Sequence, residues 1–216
     1  MSGRSASELA RSMSPMTSSV GPDGRSRCNW VSAAPEFVEY HDNEWGFAVA
    51  DDRQLFEKFC LESFQSGLSW RTILAKRENF RQAFAGFDFH VVAEFDGVEI
   101  DRLLGDAGIV RHRGKIEAVI NNARRAVALV EDEGSLSSYV WRFEPPADEV
   151  VAPQSGAPAP SAIKLSKDLK ARGFRFVGPT TVFAFMQAMG LVNDHATDCY
   201  VRPVVSARRQ DFHVPG

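Results

Sequence analysis

No stretch of this 216-residue chain approaches the roughly 20 apolar residues that a membrane-spanning helix requires. The first 27 residues lack the apolar centre of a secretory signal. Cysteine is scarce, with Cys28, Cys60 and Cys199 the only three. Cys60 lies between Phe59 and Leu61, where a buried reduced thiol is expected. A reducing, cytoplasmic setting suits that usage. Positive charge is not in excess: the net charge is −3, which argues against a surface coated in nucleic-acid-binding charge but leaves room for a local basic patch. Internal repeats and long alternating runs are missing too. What is present, 44% hydrophobic and 25% charged residues, is the composition of an ordinary globular domain long enough for a substantial core.

Residues 1–27, rich in Ser, Gly and Arg without a period, predict a disordered tail. From Cys28 to residue 205 the punctuation is helical. Asp51 or Asp52 can cap a helix through Leu55, Phe56, Phe59 and Glu62. Ser69 can cap the next, with a stripe that includes Ile73, Leu74, Phe80 and Phe84. Asp88 favours a short helix before Phe95. A clear apolar face follows at Ile116, Val119, Ile120, Ala123 and Val127. The proline-rich stretch 144–160 predicts a mobile surface loop. The last helices are expected at about 179–189 and 194–202, with a tail over 206–216. The fold class is all-α.

The segment 169–181 has its own logic. Gly173 can stop a helix in a left-handed conformation, and Gly178-Pro179 can start the next. Free amides around Gly178 and Thr180, backed by a helix N-terminus, suit a phosphate. Lys164, Lys167, Lys170, Arg172 and Arg175 lie upstream. Such a helix–hairpin–helix grips DNA backbone without reading sequence. An ordinary helical hairpin with a solvated basic face explains this segment alone about as well.

Two pairs of metal-binding side chains stand far apart, Cys28 with His41 and His195 with Cys199. The spacing of the second pair suits one face of a helix, and together they make a tetrahedral set for zinc. Glu62 falls on the buried face defined by Leu55 and Phe59, where a carboxylate needs donors or a cation. Trp30, Tyr40, Trp45 and Trp70 are nearby in sequence, and Gly67-Leu68 can expose an apolar tip. Each of these alone is more simply a core residue, with Glu62 paired to a neighbouring Arg or His. Together they suit a base flipped from a duplex.

Long strings identify a relationship: Arg27-Cys28-Asn29-Trp30-Val31-Ser32, Tyr40-His41-Asp42-Asn43-Glu44-Trp45-Gly46, Gly67-Leu68-Ser69-Trp70, the run from Ala107 to Ile116, Phe176-Val177-Gly178, and Gly190 to His195. On these the chain resembles the 3-methyladenine DNA glycosylase I family from about Arg27 to Pro203. The resemblance implies a helix-hairpin-helix glycosylase fold acting in base-excision repair of alkylated double-stranded DNA; a monomer is the default expectation for oligomeric state. It implies a structural zinc on Cys28, His41, His195 and Cys199, a base-recognition glutamate at Glu62, pocket aromatics at Trp30, Tyr40 and Trp70, and an inserting turn at Gly67-Leu68; the expected catalytic residue is Glu62. Phe37 departs from a tyrosine that family members can carry. The wider superfamily's catalytic aspartate falls on Asn193, and Asp194 beside it is turned by about 100° if the segment is helical. A base methylated at N3 is already a cationic leaving group, so hydrolysis by water can proceed with Glu62 and the aromatics alone. Two rivals remain at this point: a non-catalytic binder of damaged DNA on the same scaffold, and a three-ligand catalytic zinc with Glu62 as base.

Overall fold

The computed structural model describes residues 18–149 and 151–214. Among them are eleven α-helices and one two-stranded hairpin, so the fold is mostly helical with a small β addition that the all-α expectation omitted.

That addition lies inside the expected tail. Ser18–Val20 (β1) and Ser26–Cys28 (β2) pair antiparallel, with Ser18 opposite Cys28. Strands this short and polar leave no period to read. Their order comes from distant partners. Arg27 is buried between Asp23 and Asp42, with a 2.8 Å ion pair to each. The Ser18 hydroxyl bonds the Asp198 carboxylate, and the Tyr200 N–H donates to the Ser26 carbonyl at 2.9 Å. Residues 1–17 of the expected tail lie outside the described residues.

Phe37–Asn43 (α1) precedes Asp52–Gln65 (α2), whose cap is Asp51, accepting from the Gln54 N–H. Ser69 caps Trp70–Ala75 (α3), again by accepting an N–H, that of Thr72. The chain then breaks at Lys76 and restarts as Arg77–Ala83 (α4), where the sequence pattern showed no break. The Lys76 ammonium is engaged by the carbonyls of Ala107 and Gly108, at 2.9 and 3.1 Å. Asp88 caps the short Phe89–Ala93 (α5) as its sequence suggests. Gly97–Gly105 (α6) leads to the long Arg113–Glu133 (α7), which buries Ile116, Val119, Ile120 and Ala123, and then to Leu136–Trp141 (α8). Pro160–Ala171 (α9) and Pro179–Ala188 (α10) pack against each other, and α10 against α2.

The C-terminal end differs most from expectation. Residues 194–200 form turns, and the last helix is Val201–Asp211 (α11) rather than 194–202. Gly190 takes φ +79°, and a Cβ there would come within 2.5 Å of the Ala48 nitrogen, so only glycine fits the exit from α10. Beyond it the Ala196 N–H donates to Cys28 Sγ at 3.3 Å instead of opening a helix. The tail expected from residue 206 is a helix to Asp211, held by the Arg209–Glu144 ion pair and by Phe212 packed on Trp141. The described part of 144–159 holds no regular element, but it is tied down: Glu149 accepts from the Ser161 N–H, and the Gln154 N–H donates to Asp194 at 2.8 Å.

Two apolar clusters result. The larger surrounds α2, with Leu55, Phe56, Phe59 and Phe64 against Phe80, Phe84, Ile116 and Phe185. The smaller joins the two ends of the domain through Cys28, Val31, Phe37, Tyr40, Trp45, Cys199 and Val201. Trp70 and Met189 touch both, and the site lies at this seam.

Candidate active site and metal centre

Glu62 sits on the inward face of α2 and is 6% exposed. Three residues later the helix ends, and Gly67, at φ +78°, turns the chain. Lys115 of α7 fixes this joint: its ammonium donates to the carbonyls of Phe64 and Ser66, at 2.8 and 2.5 Å. Leu68 is left 41% exposed at the tip, and Ser69 then launches α3 with Trp70 in its first turn. One joint therefore places Glu62, Leu68 and Trp70 relative to each other. Sequence reasoning missed Lys115, although a lysine directly behind a glycine at the start of a helix was there to be read.

The partner of Glu62 is neither an arginine nor a histidine. Lys58, one turn earlier on α2, meets Glu62 Oε1 at 2.9 Å, and both side chains are buried. The same ammonium donates to the Tyr40 hydroxyl at 2.6 Å and stands 3.6 Å from the centroid of the Trp70 ring. Three N–H groups and three acceptors, one of them a π-face, account for a complete ammonium. Burial pulls the Lys58 pKa down, and the charge on Glu62 opposes the shift. Burial pushes the Tyr40 phenol well above its ordinary range, Glu62 adding to it, so the hydroxyl keeps its proton. That hydroxyl accepts from Lys58 and has its own hydrogen to give.

A cavity of about 350 Å³ opens here, with Trp30, Phe37, Tyr40, Trp45, Glu62 and Trp70 along its walls. Trp30 makes edge contacts with Phe37 at 5.7 Å and Trp45 at 5.2 Å between centroids, and Tyr40 tilts against Trp70 at 5.4 Å. The opposite wall brings in Gln154, Gln187 and Asp194. Asp194 is buried, and burial raises its pKa. Its oxygens accept from the Gln154 N–H at 2.8 Å and Gln187 Nε2 at 2.7 Å. The helical argument that set Asp194 aside does not apply, because this segment is not helical. Asn193 turns away instead, donating to the Arg202 carbonyl and the Ser206 hydroxyl.

Cys28, His41, His195 and Cys199 converge next to this cavity, all buried, with ligand atoms within 4.8 Å of one another. His195 and Cys199 reach the group from a turn, so the helical face expected of them is replaced by loop geometry. The His41 Nδ1 is 2.8 Å from Asp42, and the His195 Nε2 is 3.0 Å from the Trp45 carbonyl. Each ring therefore donates outward, and the two inner nitrogens, 3.2 Å apart, face each other as lone pairs. Two such lone pairs repel unless a cation lies between them. The group is suited to a metal ion. Gly46 packs against it at φ +89°, and a Cβ there would fall 2.9 Å from His195 Nε2. Trp45 stacks on His41 and meets His195 edge-on, so the metal group and the cavity share a wall.

The connection between α9 and α10 is pinned from three sides. Asn122 brackets Arg175, bonding its N–H at 2.8 Å and its carbonyl at 2.9 Å. Ser166 donates to the Val177 carbonyl at 2.7 Å, and Ser63, next to Glu62, to that of Phe176. Gly173 is left-handed at φ +84°. Gly178 starts α10 with no side-chain cap, and Thr180 is exposed. Lys164, Lys167, Lys170 and Arg175 are exposed too, whereas Arg172 is engaged by Glu133 and Asp168. His112 is exposed and caps α7 by accepting the Lys115 N–H.

The sequence model of the methyladenine glycosylase family matches residues 30–202, most of the chain. The chain belongs to the methyladenine glycosylase family. Within it, the chain is 46% identical to DNA-3-methyladenine glycosylase 1 of Escherichia coli K12, over 82% of its own length and 97% of that protein. It is 43% identical to the DNA-3-methyladenine glycosylase of Haemophilus influenzae, covering 80% and 96%. Among solved methyladenine glycosylase structures, the Staphylococcus aureus 3-methyladenine DNA glycosylase I, studied for its recognition of 3-methyladenine, superposes with a TM-score of 0.76 at 38% identity, covering 82% of this chain and 96% of the other.

Proposed function

We propose that this protein is a DNA-3-methyladenine glycosylase that hydrolyses the N-glycosidic bond of 3-methyladenine in alkylated double-stranded DNA, a first step of base-excision repair. The observation that carries the reading is Glu62, a buried carboxylate on the wall of an aromatic cavity in a member of this family. Trp30, Tyr40 and Trp70 offer π-faces, each good contact with a cationic base contributing about 0.5–2 kcal/mol. Glu62 uses Oε1 for Lys58 and offers Oε2 to the exocyclic amine of the base. Tyr40 gives its hydrogen to a ring nitrogen. The base leaves with its bonding electrons, water adds to the sugar, and the strand stays intact because no lysine forms a Schiff base with it.

Leu68, exposed beyond Gly67, fills the gap left by the flipped nucleotide. The uncapped amides around Gly178 and Thr180 seat a backbone phosphate. Cys28, His41, His195 and Cys199 hold a zinc ion. Zinc at about 2.0–2.1 Å from nitrogen and 2.3 Å from sulfur demands tetrahedral edges of about 3.3–3.8 Å. Four of the six separations among these donors, 3.2, 3.5, 3.6 and 3.8 Å, agree with that demand, and all six lie within 4.8 Å. Four protein ligands leave no position for water, so the metal fastens the N-terminal segment to the turn before α11 and takes no part in the chemistry. The protein acts as a monomer in a reducing cytoplasm, where its thiols persist.

Incubation with methylated duplex DNA, followed by chromatography of the released bases, tests this reading. Free 3-methyladenine and an intact abasic strand are expected, with Glu62→Gln folded but at least about a hundredfold lower in kcat/KM, because the carboxylate that captures and orients the charged base is lost. Full activity of Glu62→Gln would remove the pocket assignment, and binding without release would leave a damage binder.

A further inference from the structure

A second cavity, of about 240 Å³, lies behind the first, and Lys58 borders it. Tyr40 and Trp70 line both cavities, while Lys58 lines only the second. The two rings are thus a partition with the ammonium behind it, 3.6 Å from the Trp70 centroid and 5.0 Å from that of Tyr40. We infer that Lys58 is a positioning residue that sets how strongly the pocket holds a charged base and how readily it lets that base go. The inference rests on the glycosylase reading of the same site.

The electron balance of the reaction gives the direction. The bond between C1′ and N9 breaks with its electron pair going to N9, and the base passes from a charge of +1 to neutral. The positive charge moves to the sugar, where water adds and gives up a proton. Interactions accelerate this step only where they favour the departing, neutral base over the bound, charged one. Glu62 alone does the reverse, since an anion holds the cation. Lys58 counters it: seen from the pocket the pair is close to neutral, and the fixed ammonium favours the loss of charge from the base. An aromatic base stacked on the pocket face of Trp70 lies about 3.5–4 Å from that ring, hence roughly 7 Å from the ammonium. At an effective dielectric of about 20, the loss of half a unit charge at that distance changes the rate about five- to tenfold.

The test uses the full-length protein with Lys58→Met, which keeps the length and removes the charge, and with Lys58→Arg, which keeps the charge. Thermal melting establishes that each is folded. On duplex DNA containing 3-methyladenine, Lys58→Met is expected to bind about fiftyfold tighter by KM, since binding involves the full unit charge, and to react about five- to tenfold more slowly in single turnover. Lys58→Arg should stay within about threefold of the unaltered protein in both. On a duplex carrying the uncharged 3-deaza analogue of the lesion, all three proteins should bind alike. A folded Lys58→Met with KM and rate both unchanged overturns the inference, as does a fall in rate with a raised KM, or an equal gain of affinity for the uncharged analogue. The glycosylase reading survives those three results, because the unaltered protein would still release 3-methyladenine. If the unaltered protein releases none, both readings fall.

Discussion

The Lys58–Glu62 pair makes a quantitative demand on stability. Both side chains are about 95% buried and meet at 2.9 Å. Removing one partner of a buried ion pair costs about 3–5 kcal/mol, because the other charge stays behind without a counter-ion. Glu62 borders a cavity that water can enter, so Lys58→Met should fall at the low end, about 3 kcal/mol. Glu62→Gln keeps an acceptor for Lys58 and loses only the charge, so about 2 kcal/mol is expected. In the double variant no charge is stranded, and the cost should shrink to about 1 kcal/mol or less. The coupling is then on the order of 4 kcal/mol, far outside the additivity of independent sites. Denaturant midpoints at constant slope provide the measurement. The pH dependence has a defined sign. Burial depresses the Lys58 pKa, so above its native value and below the ordinary lysine range the unfolded chain binds more protons, and stability rises with pH. Glu62→Gln should therefore recover stability in mild alkali relative to the double variant, which has no lysine to titrate. Additive single costs, or a flat pH response, would refute the account of Lys58 as a buried ammonium balanced by Glu62.

Three further outcomes are expected. Cys199→Ser and Cys28→Ser should each lose bound metal and melting temperature together, measured by metal analysis and calorimetry, and chelation should remove activity no faster than it unfolds the protein; activity lost from an intact fold would favour a catalytic metal. Lys115→Met, which frees the Phe64 and Ser66 carbonyls, should cost about 1.5–3 kcal/mol in denaturant unfolding and slow excision by loosening the Leu68 turn. Asp168 is held below its ordinary carboxylate range by the Tyr139 hydroxyl and Arg172, so its stabilising effect is present above about pH 4 and is lost as pH falls through its lower native value; Tyr139→Phe should flatten the acid limb of the stability curve below about pH 4.

Sequence legibility followed the range of the forces involved. Caps were readable because the capping side chain and the amide it accepts from are neighbours: Asp51, Ser69 and Asp88 all cap where expected. The inward face of α2 was readable from helical spacing, and Glu62 lies on it. The N-terminal hairpin was not, because its order comes from Asp42, Asp198 and Tyr200, and no local pattern records a partner about 180 residues away. The turn at 194–200 was misread for a related reason. An i, i+4 pair of ligands imitates a helix, yet here the Ala196 amide is directed at the Cys28 sulfur. Lys58 escaped notice because it sits next to Glu57 in a helix of charged and apolar residues, where a solvated lysine is the ordinary outcome.

The Cys28/His41/His195/Cys199 group and the pocket are one construction, so an ion held by these four donors would shape the pocket walls. Trp45 stacks on His41, its carbonyl orients His195, and its ring lines the cavity. Trp30 packs edge-on against His41 and Trp45 from the same wall. Holding the four donors together thus fixes two aromatic walls of the site, while α2 and α3 independently supply Glu62 and Trp70 from the larger core. The two halves meet across the Lys58–Tyr40 hydrogen bond, the one side-chain hydrogen bond from α2 to α1 among the described residues. A perturbation of the metal group should therefore reach the base through displaced tryptophans before it reaches Glu62. Lesion binding in a partly metal-depleted Cys28→Ser protein should weaken through KM, while the rate of bound substrate changes little; a loss confined to the chemical step would place the metal closer to the reaction than these walls allow.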